Sequence, residues 1–252
     1  MKTSWRYILL IAVIVGSFAA VLALKPIPQP SWYHDFADRR NIAGVPDFFD
    51  VVSNVPFLIV GIMGLSYCLR NREEARASWI VFFLGVGLVF FGSVYYHIAP
   101  GNATLFWDRL PMAMGFMALL VGLLSEQAGG KTEKYFLLPA VLLGLGSVIY
   151  WGIFDDLRFY IWVQAAPLMA LPIALMLFRS FYDKRGLLIA ALAGYLLAKV
   201  FEVYDRQVYS LTGEILSGHT LKHLFAALGC CFIYKMLKTR SRIEPHEASL
   251  WG

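Results

Sequence analysis

An all-α, polytopic membrane helical bundle is the fold class this sequence predicts, and three observations predict it. Of its 252 residues, 59% are hydrophobic and 15% charged, and the mean hydropathy of +0.62 lies well above that of a soluble domain. Eight stretches have the apolar length, about 20 residues, that carries an α-helix across a bilayer. The connections between them are short, as antiparallel neighbours in one bundle require.

In chain order the stretches run from Trp5 to Leu24, Asp47 to Leu69, Ala77 to Ala99, Leu105 to Leu124, Tyr135 to Phe154, Phe159 to Phe178, Gly186 to Tyr204 and His219 to Leu237. The first follows Lys2 and Arg6, as the core of a secretory signal would, and Val21-Leu22-Ala23 has the small-residue character of a weak cleavage site. Its apolar run is longer than a signal core, so residues 1–24 are read as an N-terminal transmembrane helix or uncleaved signal anchor. Residues 25–237 then form a seven-helix transmembrane domain, and 238–252, with His246, a solvated cytoplasmic tail. Pro167 and Pro172 should interrupt the sixth helix. The segment from Asp205 to Gly218 reads as a loop.

The cations set the orientation. Lys2 and Arg6, then Arg70, Arg72 and Arg76, then Lys131 and Lys134, then Arg179, Lys184 and Arg185, then Lys235, Lys238, Arg240 and Arg242 all fall on one side. They are well over half of the 22 Lys and Arg, which places that side and both termini in the cytoplasm of a plasma (inner) membrane protein. The formal charge of +5 comes from these loops, so no nucleic-acid partner is needed to explain it. Cys68, Cys230 and Cys231 lie in apolar helices and suggest neither a disulfide framework nor a thiolate metal site.

Given that orientation, polar residues converge at the outer face. His219 and His223 are one helical turn apart in GHTLKH and share a helix face. His97 ends the third helix and Asp108 opens the fourth at the same depth. Each histidine taken alone reads equally as a hydrogen-bonded core residue, but the common depth favours one shared site. Three neutral imidazoles suit zinc and leave the fourth tetrahedral position open, as in a catalytic site. Asp108 is then the nearest group to take a proton from water, and it also suits the dipole at its helix start. Ser93 lies one turn below His97 on the same face, where its hydroxyl can donate inside the site. Lys199, Glu202 and Asp205 gather at the outer end of the seventh helix and are read as pairing with one another. Asp35, Asp38, Asp47 and Asp50 crowd a segment beside the outer face that ends with Ser53 and Asn54 inside the second helix. Hard oxygen ligands of this kind suit calcium, whereas a solvated loop neutralised by Arg39 and Arg40 needs no ion.

The runs PDFFDVVSN, GSVYYHIAP with FWDRLPM, and GHTLKH resemble, in the same order, the motifs of the alkaline ceramidase family, whose relatives include adiponectin-receptor-type membrane proteins. The resemblance spans Trp32 to Tyr234. It implies a seven-helix intramembrane amidase built from the second to eighth helices, with the Trp5 to Leu24 helix an addition. It further implies a catalytic zinc on His97, His219 and His223, with Ser93 and Asp108 as active-site serine and aspartate. The expected reaction is hydrolysis of the N-acyl bond of a ceramide-like lipid amide to a fatty acid and a sphingoid-type amine. Two departures stand out: Arg109 follows the aspartate where the family has an acid, and Arg40 falls where its calcium loop has an amide. A calcium ion on Asp35, Asp38 and Asp47 is therefore a weakened expectation. The rival readings are a lipid-sensing receptor with a structural zinc, which would bind without turnover, and a small-solute transporter, for which the two halves lack matched Gly or Pro breaks.

Overall fold

In the computed structural model, which describes residues 4–72, 74–128, 131–178 and 182–243, eight helical spans are long and apolar enough to cross a bilayer. The chain is an integral multi-pass membrane protein. Its helices are α1 (Ser4–Leu22), α2 (Phe48–Val52), α3 (Val55–Arg70), α4 (Arg76–Ile98), α5 (Asn102–Ala128), α6 (Lys131–Phe154), α7 (Arg158–Leu177), α8 (Arg185–Val203), α9 (Asp205–Leu211) and α10 (Gly218–Thr239), with a 3-10 turn at Ser31–His34. Among the described residues the only strand-like pairings are the isolated bridges Ile42 with Val45 and Tyr182 with Arg242. Lys2, Arg179 and the tail residues from 244, His246 included, lie outside the described residues.

Three expectations are corrected. The second stretch is not one helix: Pro56 lacks the N–H that would bond the Val52 carbonyl, and α2 stops before α3 begins. The Asp50 carbonyl at this break accepts from Ser53 Oγ at 3.1 Å and Asn54 Nδ2 at 2.7 Å. By contrast α7 runs unbroken through the buried Pro167 and the partly exposed Pro172, since packing against neighbouring helices tolerates the lost bonds. The stretch after Asp205 is not all loop but starts with the short helix α9.

Sequential neighbours pack on one another through α3 to α6, while α8 pairs with α10 and α7 lies against α5. Large side chains such as Leu138, Ile153, Met176 and Val203 face outward, as lipid contact demands. The first helix, α1, docks on α7, with the Phe18 and Trp162 rings 4.8 Å apart and Trp162 Nε1 donating to the Ile14 carbonyl at 3.2 Å. Its end is held by the α6–α7 turn. Arg158 donates to the otherwise orphaned carbonyls of Leu22 and Leu24 at 2.8 and 2.6 Å and pairs with the buried Asp156 carboxylate at 2.7 Å. Asp156 also accepts from the Ile27 N–H, and the Arg158 bonds hold its pKa at about 2.

Two close approaches set the site. A Cβ on Gly92 would lie 2.4 Å from the Trp107 carbonyl oxygen, the acceptor that Pro111 leaves without its helical donor, so only glycine lets α4 come this near α5. A Cβ on Gly218 would lie 2.3 Å from the Phe201 oxygen, so α10 starts against the junction of α8 and α9.

Candidate active site

His97 from the last turn of α4 meets His219 and His223 from the first turns of α10. The three are 0%, 4% and 4% exposed, their ring centroids stand 4.8 to 5.0 Å apart, and one ligand atom from each lies within 4.8 Å of the others. Neither ring nitrogen of His97 has a hydrogen-bond partner, although a buried imidazole normally has one. A cation shared by the three rings removes that deficit, and three neutral nitrogen donors match the usual zinc set. The residues therefore fit a zinc ion.

The local sequence explains how these rings are held. His223 Nδ1 lies 2.8 Å from Ser53 Oγ and 3.4 Å from Asn54 Nδ2, and the ring also bonds the Asp50 backbone carbonyl. All three partners sit at the break that Pro56 makes. With Nδ1 engaged, the other nitrogen is the one left for a metal, the arrangement typical of ligating histidines. Asp50, whose acid-rich surroundings in the sequence predict a solvated side chain, is fully buried, and its Oδ1 accepts from Thr220 Oγ1 at 2.7 Å and Ser217 Oγ at 3.1 Å. It thereby pins α2 to the start of α10. Ser217 is the N-cap of α10 and accepts from the Thr220 N–H at 2.9 Å, while Asp205 Oδ1 accepts from the His219 N–H at 2.8 Å.

Asp108 on α5 is buried, and the Ser93 hydroxyl bonds its carboxylate across the α4–α5 contact that Gly92 permits. Lys222, which the sequence reading passed over, pairs with Glu202 at 3.0 Å and lies 3.2 Å from His219 Nε2. Its signal was there to read, since a lysine inside a membrane span demands an anionic partner. Lys199 also pairs with Glu202, as expected, and Tyr33 donates to it at 3.0 Å. Burial, reinforced by the Glu202 charge, raises the Tyr33 phenol well above its ordinary range, so it acts as a neutral donor. Asp205 stays outside that cluster. Its second oxygen accepts from the Ala37 N–H at 2.9 Å.

The residues proposed for calcium do not assemble around a free position. Asp35 is paired with Arg39 at 2.5 Å and with Arg206, and the fully buried Asp38 is held by Arg40 at 2.5 and 2.8 Å. Burial raises the carboxyl pKa of Asp47, at the start of α2, which also feels the charges of Arg39 and Asp38. This arrangement supports neutralisation by arginine and does not support calcium. The same segment carries Phe36, whose ring covers the histidines at 4.5 Å from His219 and 4.7 Å from His97.

Beside the rings lies a polar cavity of about 80 Å³, bounded by Ser93, Asp108, Lys222 and His223 and large enough for a few waters. It shares Phe57, Val89, Met112, Tyr195 and Ala226 with a deeper cavity lined almost wholly by apolar side chains of α3, α4, α5, α7, α8 and α10. The two form a polar head and an apolar shaft.

Comparison with curated proteins returns no match. The profile of the Ceramidase family matches residues 40–190, a stretch that contains Ser93, His97 and Asp108 and stops short of His219 and His223, which the fold brings against His97. Because that match covers well over half of the chain and fits the helical membrane bundle, the protein belongs to the ceramidase family of membrane amidases that hydrolyse the N-acyl amide bond of ceramide.

Proposed function

We propose that the reaction is zinc-dependent and occurs where the histidines border the polar cavity. The observation that carries this reading is the meeting of three buried imidazoles, one with both nitrogens unpartnered, beside a paired Ser93 and Asp108. His97, His219 and His223 hold the metal. Zinc bound there supplies Lewis acidity, which polarises an acyl carbonyl and lowers the pKa of bound water from 15.7 to about 7. Asp108 takes the proton from the attacking water and returns it to the departing amine nitrogen. The Ser93 hydroxyl orients Asp108 and turns to donate to the oxyanion as charge develops on the amide oxygen. The apolar cavity takes the acyl chain, so the products are a fatty acid and a sphingoid-type amine.

The cation-rich side of the bundle supports cytoplasmic termini and a site opening toward the outer leaflet of a plasma (inner) membrane. The test is metal analysis of detergent-purified protein together with fatty-acid release from ceramide. About one zinc per chain with turnover, both lost in His97→Ala, is the expected result. Bound zinc with ceramide binding but no turnover would instead make the protein a lipid-sensing receptor with a structural metal, and turnover without any metal would overturn the zinc assignment.

A further inference from the structure

Arg109 is the buried charge that amide hydrolysis leaves without a task. It follows Asp108 on α5, is 5% exposed, and lines the polar cavity. Its Nη2 donates to Gln29 Oε1 at 2.6 Å, but its Nη1 is buried without any hydrogen-bond partner. Among the described residues no carboxylate comes within ion-pair distance of it. The guanidinium is fixed instead by the rings of Trp151, Tyr160 and Tyr33, at 4.1, 4.9 and 5.6 Å from its carbon. Aromatic faces hold a guanidinium by its plane and leave its edge donors free for an oxygen acceptor. A buried charged donor with no acceptor is costly, so an acceptor belongs there.

Charge and position say what kind. Arg109, Lys199 and Lys222 line the cavity against Asp108 and Glu202, and Glu202 is already shared by the two lysines and Tyr33. The balance is positive before any metal is counted. Arg109 touches only the polar cavity and not the apolar one. With the acyl chain in the apolar cavity and the amide at the histidines, the half of the substrate that reaches Arg109 is the amine half.

We propose that Arg109 binds an anionic oxygen group carried on the amine half of the substrate, so that an N-acyl amphiphile bearing a phosphate or carboxylate near its amide is hydrolysed in preference to its neutral counterpart. This rests on the hydrolase reading above. The experiment measures kcat/KM for fatty-acid release by the full-length, metal-loaded protein in detergent. Its three substrates share one acyl chain: ceramide, ceramide with a phosphate on its terminal hydroxyl, and an N-acyl amino acid. The expected result is that one anionic lipid exceeds ceramide by about tenfold or more, mainly through a lower KM, as a charge-assisted hydrogen bond allows. The phosphate and carboxylate arms tell which group is taken. In Arg109→Gln the anionic-to-neutral ratio collapses toward one, and in Arg109→Lys part of it is kept. A purely structural role lowers all three substrates together with the ratio unchanged, and that result overturns the proposal. Release from ceramide with no anionic preference in the unaltered protein overturns the proposal and leaves the hydrolase reading standing, whereas no release from any substrate overturns both. If the variants fail to fold, inhibition of the unaltered enzyme by sphingoid base with and without a phosphate decides. Stronger inhibition by the phosphorylated base supports the subsite, and equal inhibition overturns it.

Discussion

At Asp108 a single carboxylate meets the Ser93 hydroxyl, the polar cavity and the histidine-bearing helices without itself belonging to the group of possible metal ligands. Asp108→Asn should therefore leave metal content unchanged while fatty-acid release falls about 100- to 10,000-fold, the usual loss for one general acid/base. A parallel loss of metal would show that the side chain ligates instead. His219 and His223 could be paired from sequence because their spacing alone puts them on one face. From the residues themselves His97 could be joined to them by shared depth, and otherwise through the family resemblance, since nothing local says that α4 ends against α10. Asp50 was not legible at all. It sits in an acid-rich run that reads as solvated, and it is the break at Pro56 that turns it inward onto Ser217 and Thr220. Arg40 and Asp38 were legible as neighbours, but their bidentate pairing depends on the loop closing over Ile215, whose carbonyl also accepts from Arg40 at 2.8 Å.

Helices and turns make their own demands. Gly92→Ala puts a methyl carbon 2.4 Å from the backbone oxygen of Trp107, so α4 and α5 must part. Overpacking of this kind typically costs about 1–3 kcal/mol, and here it also moves Ser93 away from Asp108. A lower melting temperature with a larger loss in kcat than in metal content is expected, and a variant with normal kcat would show that the close approach is not what positions the pair. The α6–α7 turn gives a pH signature. The Asp156 carboxylate, held at a pKa of about 2 by Arg158, sits below its unfolded value near 3.9. A depressed folded pKa contributes stability fully above about pH 4, and that contribution disappears as pH falls through 2. Melts between pH 6 and 2 should show a component of instability in the native protein that Asp156→Asn lacks, with the variant less stable at neutral pH. Parallel curves would remove the ion pair from the account. The spans themselves were readable because apolar length is a direct requirement of the bilayer. Proline was the poorer guide. Pro56 ends a helix where Ser53 and Asn54 offer side-chain donors to a nearby carbonyl, whereas Pro167 and Pro172 lie inside a span packed on its neighbours and leave it continuous.

Over the whole molecule the charge asymmetry predicts that a reporter fused after Gly252 is active only in the cytoplasm, and external activity would invert the orientation. The first helix, α1, is tied into the bundle by ring packing on α7 and by the Arg158 clasp on the carbonyls of Leu22 and Leu24. At the start of α10 one carboxylate bridges two segments. Asp205 holds the first turn of α10 through the His219 N–H and, with its second oxygen, the Ala37 N–H beside Phe36, the ring that covers the histidines. The cover and the His219 backbone thus share an anchor, and neither moves far without straining the other. For a metal on these rings, exchange becomes a gated process: a chelator must wait for the covering segment to lift. The rate of metal loss should then level off as chelator concentration rises, at the opening rate of that segment. Asp205→Asn should raise the plateau, and a rate that climbs in proportion to chelator without limit would mean that the histidines are reached by a path Phe36 does not guard.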